Sequence, residues 1–139
     1  MTARKDGCLF CAIVAGETPA AIVLDTPELL GFLDIRPVFK GHVLIVPKDH
    51  VDTLLDLPSE LMTPLLTAGQ DTATALAAAV ECQGTFVAMN NVVSQSVPHL
   101  HLHVVPRTKG DGLRGFFWPR TKYAEGEIEQ YAARIRAAY

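Results

Sequence analysis

With 139 residues, the chain has the length of one domain and can bury roughly two-thirds of its unfolded surface without staples. Its 49% hydrophobic and 19% charged residues exclude a disordered chain, and a net charge of -3 argues against nucleic acid as a partner. No apolar run reaches the ~18 residues of a transmembrane helix, so no membrane partner is expected.

Arg4 and Lys5 precede an apolar stretch, Cys8 to Gly16. Asp6 interrupts the basic region and Glu17-Thr18-Pro19 follows, which favours a short core helix over an export signal. Leu9 to Ala15 reads as that helix, closed by Gly16. Strands follow at Ala21–Leu24 and Leu29–Leu33, with Thr26-Pro27 as the turn; Pro37 then stops the ladder. Val43–Val46, bounded by Gly41 and Pro47, has the continuous apolar character of a buried strand. The main helix is expected over Leu61–Cys82, with a stripe of Leu61, Leu65, Gly69, Ala73, Leu76 and Val80. Thr63 would cap it with Pro64 in the first helical position, leaving 58–62 as a turn. Gly84–Met89 and His99–Val105 are further strands. Residues 106–127 are irregular, and Glu127–Tyr139 carries Ile128, Tyr131 and Ile135 at helical spacing. The pattern predicts an α+β fold: an antiparallel sheet with helices on one face.

The chemistry concentrates in Gln95 to Pro106. His99, His101 and His103 alternate with Leu100, Leu102 and Val104. On a strand this puts three imidazoles on one face and the aliphatics on the other. Three readings follow. The row is a solvated face; or an H-x-H metal site completed by Asp34, Asp49 or His42; or the middle imidazole is a nucleophile toward phosphorus, flanked by charge-stabilising neighbours.

Cys8, Cys11 and Cys82 are an odd set, which fits reduced thiols in a cytoplasm rather than a disulfide framework. Cys8 and Cys11 stand one helical turn apart, either as small core residues or as half of a zinc site whose next candidates are His50 and His99. Cys82 reads as a buried thiol. Arg107, Lys109, Arg114, Arg120 and Lys122 surround Phe116-Phe117-Trp118 with Asp111 as the lone acid. That stretch is a solvated face or a site for polyphosphate or a second base.

His99-Leu100-His101-Leu102-His103-Val104-Val105 resembles the signature of the histidine triad (HIT) family. Cys8-Leu9-Phe10-Cys11, Phe32-Leu33-Asp34-Ile35, Gly41 to His50 and Gln95-Ser96-Val97-Pro98 resemble other segments of that family, in the same order. The likeness spans about residues 8–107, leaves 107–139 as a basic aromatic tail of a single 1–139 domain, and looks nearest to the bacterial nucleotide-binding and dinucleoside polyphosphate hydrolase branch. It implies a five-stranded antiparallel sheet with a main helix and a C-terminal helix, the sheets joined across a homodimer. It implies a purine nucleotide substrate, dinucleoside polyphosphate or nucleoside phosphoramidate, attacked at the α-phosphate. His101 would be the nucleophile. His103, Ser96 and His99 would complete the catalytic set. Asp34 would hold the ribose, Phe10, Ile13, Phe32 and Ile35 the base, and Asn90 and Gln95 would line the same site. Some bacterial relatives bind structural zinc through residues matching Cys8, Cys11, His50 and His99; no cofactor is implied for the chemistry itself. A non-catalytic nucleotide-binding regulatory protein is the alternative. Many relatives carry glycine just before Gln95, where this chain has Ser94, and their loop from Asn90 to Gln95 is longer.

Overall fold

The computed structural model describes residues 3–113 and 120–139. Two compact units divide after Lys109. The first contains α1 (Leu9–Val14), β1 (Ile22–Asp25), β2 (Leu29–Leu33), β3 (Val43–Pro47), α2 (Met62–Ala79), β4 (Gly84–Ala88) and β5 (Leu102–Arg107). The strands form one antiparallel sheet in the order β1-β2-β3-β5-β4. The expected α+β class and five-stranded sheet are present.

β3 sits at the centre because nearly every side chain it carries is apolar. Its residues alternate between two cores. Val43 and Ile45 join Leu29, Leu65, Leu76, Leu102 and Val104 on the α2 face. Leu44 and Val46 join Phe10, Cys11, Leu30 and Phe32 on the α1 face. A strand buried on both sides needs cover on both sides, so the helices do not share one face as expected: α1 and α2 lie on opposite faces.

α2 begins earlier than its apparent cap suggests. A 3₁₀ turn at Ser59–Leu61 feeds directly into the helix, Leu61 is its N-cap, and Pro64 is its third residue. Proline is tolerated there because the first-turn N–H groups have no helical partner. The helix stops at Ala79 rather than Cys82, where Glu81 enters the left-handed region at φ 57°. Gly41 turns at φ 101°, which brings His42 to the head of β3. β5 ladders from Leu102, later than the expected His99, yet Leu100, Leu102 and Val104 all reach the α2-side core. The alternation that puts the histidines on the other face therefore holds through the extended approach to the strand.

The second unit holds α3 (Glu127–Ala138), which follows Gly126 at φ 76°. Within it the Arg134 guanidinium lies 4.2 Å from the Tyr131 ring centre. Arg114, Phe116, Phe117 and Trp118 of the basic aromatic stretch lie outside the described residues. Among the described residues, no helix is long and apolar enough to cross a membrane.

Candidate active site and metal centre

His101 is 3% exposed, and its Nδ1 lies 2.8 Å from the His99 carbonyl oxygen. A carbonyl can only accept, so Nδ1 carries a proton and Nε2 is the nitrogen not engaged by this bond. The Phe10 ring meets this imidazole edge-on at 5.1 Å, and the His103 ring lies 4.8 Å away. The backbone thus engages one nitrogen of the buried middle histidine and leaves Nε2 as the other.

His103 is also fixed in one tautomer, by a chain that starts in the backbone. The Val38 N–H donates to His42 Nδ1 at 3.1 Å. His42 must then carry its proton on Nε2, which faces His103 Nδ1 at 2.9 Å. His103 therefore accepts on Nδ1 and presents an N–H on Nε2. Burial lowers the His42 pKa, opposed by Asp34 and reinforced by His101. Burial, followed by the His101 and His42 charges, holds His103 at about 4. At neutral pH His103 is consequently a neutral hydrogen-bond donor rather than an acid.

Asp34, His42 and His103 offer ligand atoms within 4.8 Å of one another. Both His42 nitrogens and the His103 Nδ1 are already committed to this chain. Asp49, the other carboxylate weighed for an H-x-H metal site, accepts instead from the Ala3 N–H at 2.7 Å. His42 is therefore tied to His103 and to the backbone rather than left open for a metal. The one sequence signal for it is a polar residue at the head of an otherwise continuous apolar strand.

The second cluster fits a metal. Cys8, Cys11, His50 and His99 bring four donor atoms within 4.8 Å of one another. Cys8 Sγ lies 3.4 Å from His99 Nδ1, and Cys11 Sγ lies 3.3 Å from His50 Nδ1 and 3.6 Å from His99 Nδ1. Tetrahedral zinc with its usual bond lengths separates sulfur and nitrogen ligands by roughly 3.5 Å. Both imidazoles present Nδ1 to the cluster because their Nε2–H groups are held elsewhere: His99 by the Pro47 carbonyl at 2.8 Å, His50 by Asp52 Oδ1 at 2.7 Å. This is the outer-shell bonding that orients metal-ligating histidines. The His50 hydrogen bond, with help from Lys5, holds the Asp52 carboxyl below its usual range. Burial pushes the Cys11 thiol up; a bound cation reverses this by favouring the thiolate. A strap of residues closes over the cluster: the Ala3 carbonyl accepts from His50 N–H at 2.9 Å, and Lys5 N–H donates to Cys11 Sγ at 3.4 Å. Cys82, half-buried, packs against the α2-side core instead.

His99 joins the two groups. Its ring faces the thiols and its carbonyl fixes His101. The other expected site residues are more dispersed. Phe10 and Phe32 are buried and meet edge-to-face at 5.4 Å, with Ile13 half-buried against the same core. Ile35 stands 90% exposed. Asp34 Oδ1 accepts from the Arg36 N–H at 2.9 Å. Asn90 Nδ2 donates to the Ser94 carbonyl at 3.2 Å. Gln95 spends both ends of its amide, accepting from Val92 N–H and donating to the Asp52 carbonyl. Ser96 is exposed and borders a cavity of about 250 Å³ shared with Lys5, Cys8 and Pro98. Ser94 stands at φ 62°, the backbone region that glycine adopts freely.

A HIT domain family model matches residues 15–110. The chain belongs to the HIT family. Among its relatives is an adenosine 5'-monophosphoramidase of Schizosaccharomyces pombe, 31% identical over 130 residues, covering 92% of this chain and 95% of the relative. A Streptococcus mutans structure superposes with TM-score 0.89 at 32% identity, covering 99% of this chain and 88% of the other. A zinc-bound histidine triad family protein from Mycobacterium smegmatis gives TM-score 0.74 at 36% identity, covering 96% and 98%. The zinc-bound neighbour is consistent with the donor set of the second cluster.

Proposed function

We propose that this HIT protein hydrolyses a phosphoramidate of a purine nucleotide at the α-phosphorus, with a nucleotidyl-His101 intermediate. The observation that carries the reading is the pinned pair: His101 with its Nε2 not engaged by the backbone bond beside His103 with a protonated Nε2. The phosphoramidase relative favours a P–N substrate over the dinucleoside polyphosphate that the sequence also allowed.

In the first step the His101 Nε2 lone pair attacks phosphorus and the bond to the leaving amine breaks. The amine takes its proton from water, since a histidine with a pKa of about 4 does not supply one at neutral pH. The His103 N–H and the Ser96 hydroxyl donate to the phosphoryl oxygens as charge builds on them. Water then attacks phosphorus and the N–P bond breaks, restoring the lone pair and releasing the nucleotide and a proton. Asp34 receives the ribose hydroxyls, and the Phe10, Ile13, Phe32 and Ile35 side chains border the base; Asn90 and Gln95 shape the loop beside the phosphate. Cys8, Cys11, His50 and His99 hold zinc, which would neutralise two thiolates and tie the strap, α1 and the approach to β5 together. Its role is structural, and the steps above use only this chain's own groups.

The protein acts as a homodimer in the cytoplasm in this reading. Among the described residues no further strand pairs with the β4 edge, which exposes Val87 at 44%, and the three cysteines are free thiols. Light scattering is expected to give twice the 15.1 kDa of one chain. The deciding experiment is turnover of adenosine 5'-phosphoramidate, with diadenosine polyphosphate in parallel. Release of AMP from the phosphoramidate at the higher kcat/KM is expected. Nucleotide binding without turnover of either substrate would instead make the protein a binding module.

A further inference from the structure

The loop between β4 and the histidines is strained. Val92 sits at φ 67° and Ser94 at φ 62°. A positive φ is uncommon for any side-chain-bearing residue and a clear outlier for β-branched valine. Such a conformation persists only where surrounding contacts over-determine it. Here the contacts run through Gln95. Its Oε1 accepts from Val92 N–H at 3.0 Å, and its own N–H reaches the Val92 carbonyl at 3.4 Å. Its Nε2 donates to the Asp52 carbonyl at 2.6 Å, across 43 residues of sequence. The loop is therefore anchored to the backbone of Asp52, with a second tie where the Leu54 N–H donates to Asn91 Oδ1 at 2.8 Å.

The side chain of Asp52 faces the other way. Asp52 Oδ1 accepts from His50 Nε2 at 2.7 Å, the bond that turns His50 Nδ1 toward Cys11. Lys5, whose own N–H donates to Cys11 Sγ, stands 3.7 Å from that carboxylate. We propose that Asp52 is a positioning residue that couples the metal centre to the loop bearing Gln95 and Ser96. Zinc on His50 fixes residues 50–52, and the fixed Asp52 carbonyl holds Gln95 and, through it, the strained turn at Val92. The inference rests on the zinc assignment made under Proposed function but not on the identity of the substrate.

The test uses the purified full chain and no nucleotide. Zinc affinity is measured by competition with a chelator in the wild type and in Asp52→Ala, Asp52→Asn and Gln95→Ala. Loss of an outer-shell partner typically lowers metal affinity about 10- to 100-fold, which is the expected result for Asp52→Ala. Asp52→Asn keeps an oxygen that can accept from His50 and recovers most of the affinity. Gln95→Ala lowers zinc affinity by no more than the factor by which zinc slows the opening of the loop, about tenfold, because the coupling is reciprocal. Hydrogen exchange at the Val92 and Gln95 amides is then followed with zinc loaded and zinc stripped. Stripping the wild type is expected to speed exchange there by about tenfold or more, as a local opening becomes accessible; in Gln95→Ala exchange is fast in both states. Wild-type zinc affinity in Asp52→Ala, unchanged exchange in the stripped wild type, or no zinc uptake at all would each overturn the proposal. A protein that meets these expectations yet hydrolyses no phosphoramidate would overturn the proposed activity and leave this coupling standing.

Discussion

His42 offers the most discriminating perturbation, because it touches the reaction only through the hydrogen bond it donates. In His42→Leu, His103 loses the N–H that makes its Nδ1 an acceptor, and nothing then prevents its proton from moving to Nδ1. The donor at Nε2 disappears in that tautomer. Removing one preorganised donor at a developing oxyanion costs about 10²–10³ in kcat. His103 can still visit the productive tautomer without its partner, so a loss of about 10² is expected, with KM changed little. Stability should fall by only about 1 kcal/mol, the low end for an orphaned polar group. The N–H left without an acceptor belongs to Val38, which is 47% exposed and can turn to water. His42→Gln can place an amide N–H near the lost Nε2 and should recover part of kcat. Steady-state kinetics with adenosine phosphoramidate and a thermal melt separate the two effects. A folded His42→Leu protein whose kcat stays within about threefold of wild type would refute the tautomer argument.

Other substitutions test the remaining parts. His101→Asn should lower kcat by at least about 10³-fold while nucleotide affinity is roughly kept, and acid-labile labelling by substrate should vanish; near-native turnover would mean that another group or water attacks directly. Cys11→Ala should lower the zinc content measured by elemental analysis and reduce Tm, because metal binding and folding are coupled. The pH dependence of stability follows from His99 and His103, each held at about 4, chiefly by burial, against the ordinary imidazole value of 6.5. The unfolded chain takes up these protons first, so stability is fully present above pH ~6.5 and falls as pH drops toward ~4, by at most about 1.4 kcal/mol per pH unit for each histidine. His103→Asn should make that slope shallower in denaturant titrations across this window; an unchanged slope would show that His103 is not buried neutral.

Much of the framework was legible because it depends on local pattern. The period-two run from His99 to Val105 put the imidazoles on the face opposite its aliphatic residues, and the burial of β3 followed from its apolar continuity. The boundaries of α2 were misread where two local signals competed: Thr63-Pro64 has the form of a cap and first residue, but a 3₁₀ turn supplies the start instead. The placement of the helices was missed although β3, apolar on both faces, calls for cover on both, because the amphipathic patterns of α1 and α2 do not say which face each takes. The hydrogen-bond partners of His101 and His103 were out of reach for a different reason. They are a main-chain carbonyl and His42, 61 positions from His103, and no spacing rule links partners at that separation. The Gln95–Asp52 contact is equally non-local.

β3 also serves as a common gauge for two unrelated chemistries. His42 stands at its head and meets His103, while the carbonyl of Pro47, at its foot, holds His99. In between, Leu44 pairs with His103 and Ile45 with Leu102 across the ladder. A slip of one residue along that ladder shifts it by ~3.3 Å and turns every side chain to the wrong face. It would therefore misplace His103, neighbour of the proposed nucleophile, and His99, in the proposed metal centre, together. Insertions or deletions within Val43–Pro47 have no partially functional outcome available to them, whereas the connection at 34–40 can change length as long as an N–H still reaches His42. The two sites are bound to be gained or lost as a pair because they are measured off against the same five residues of strand.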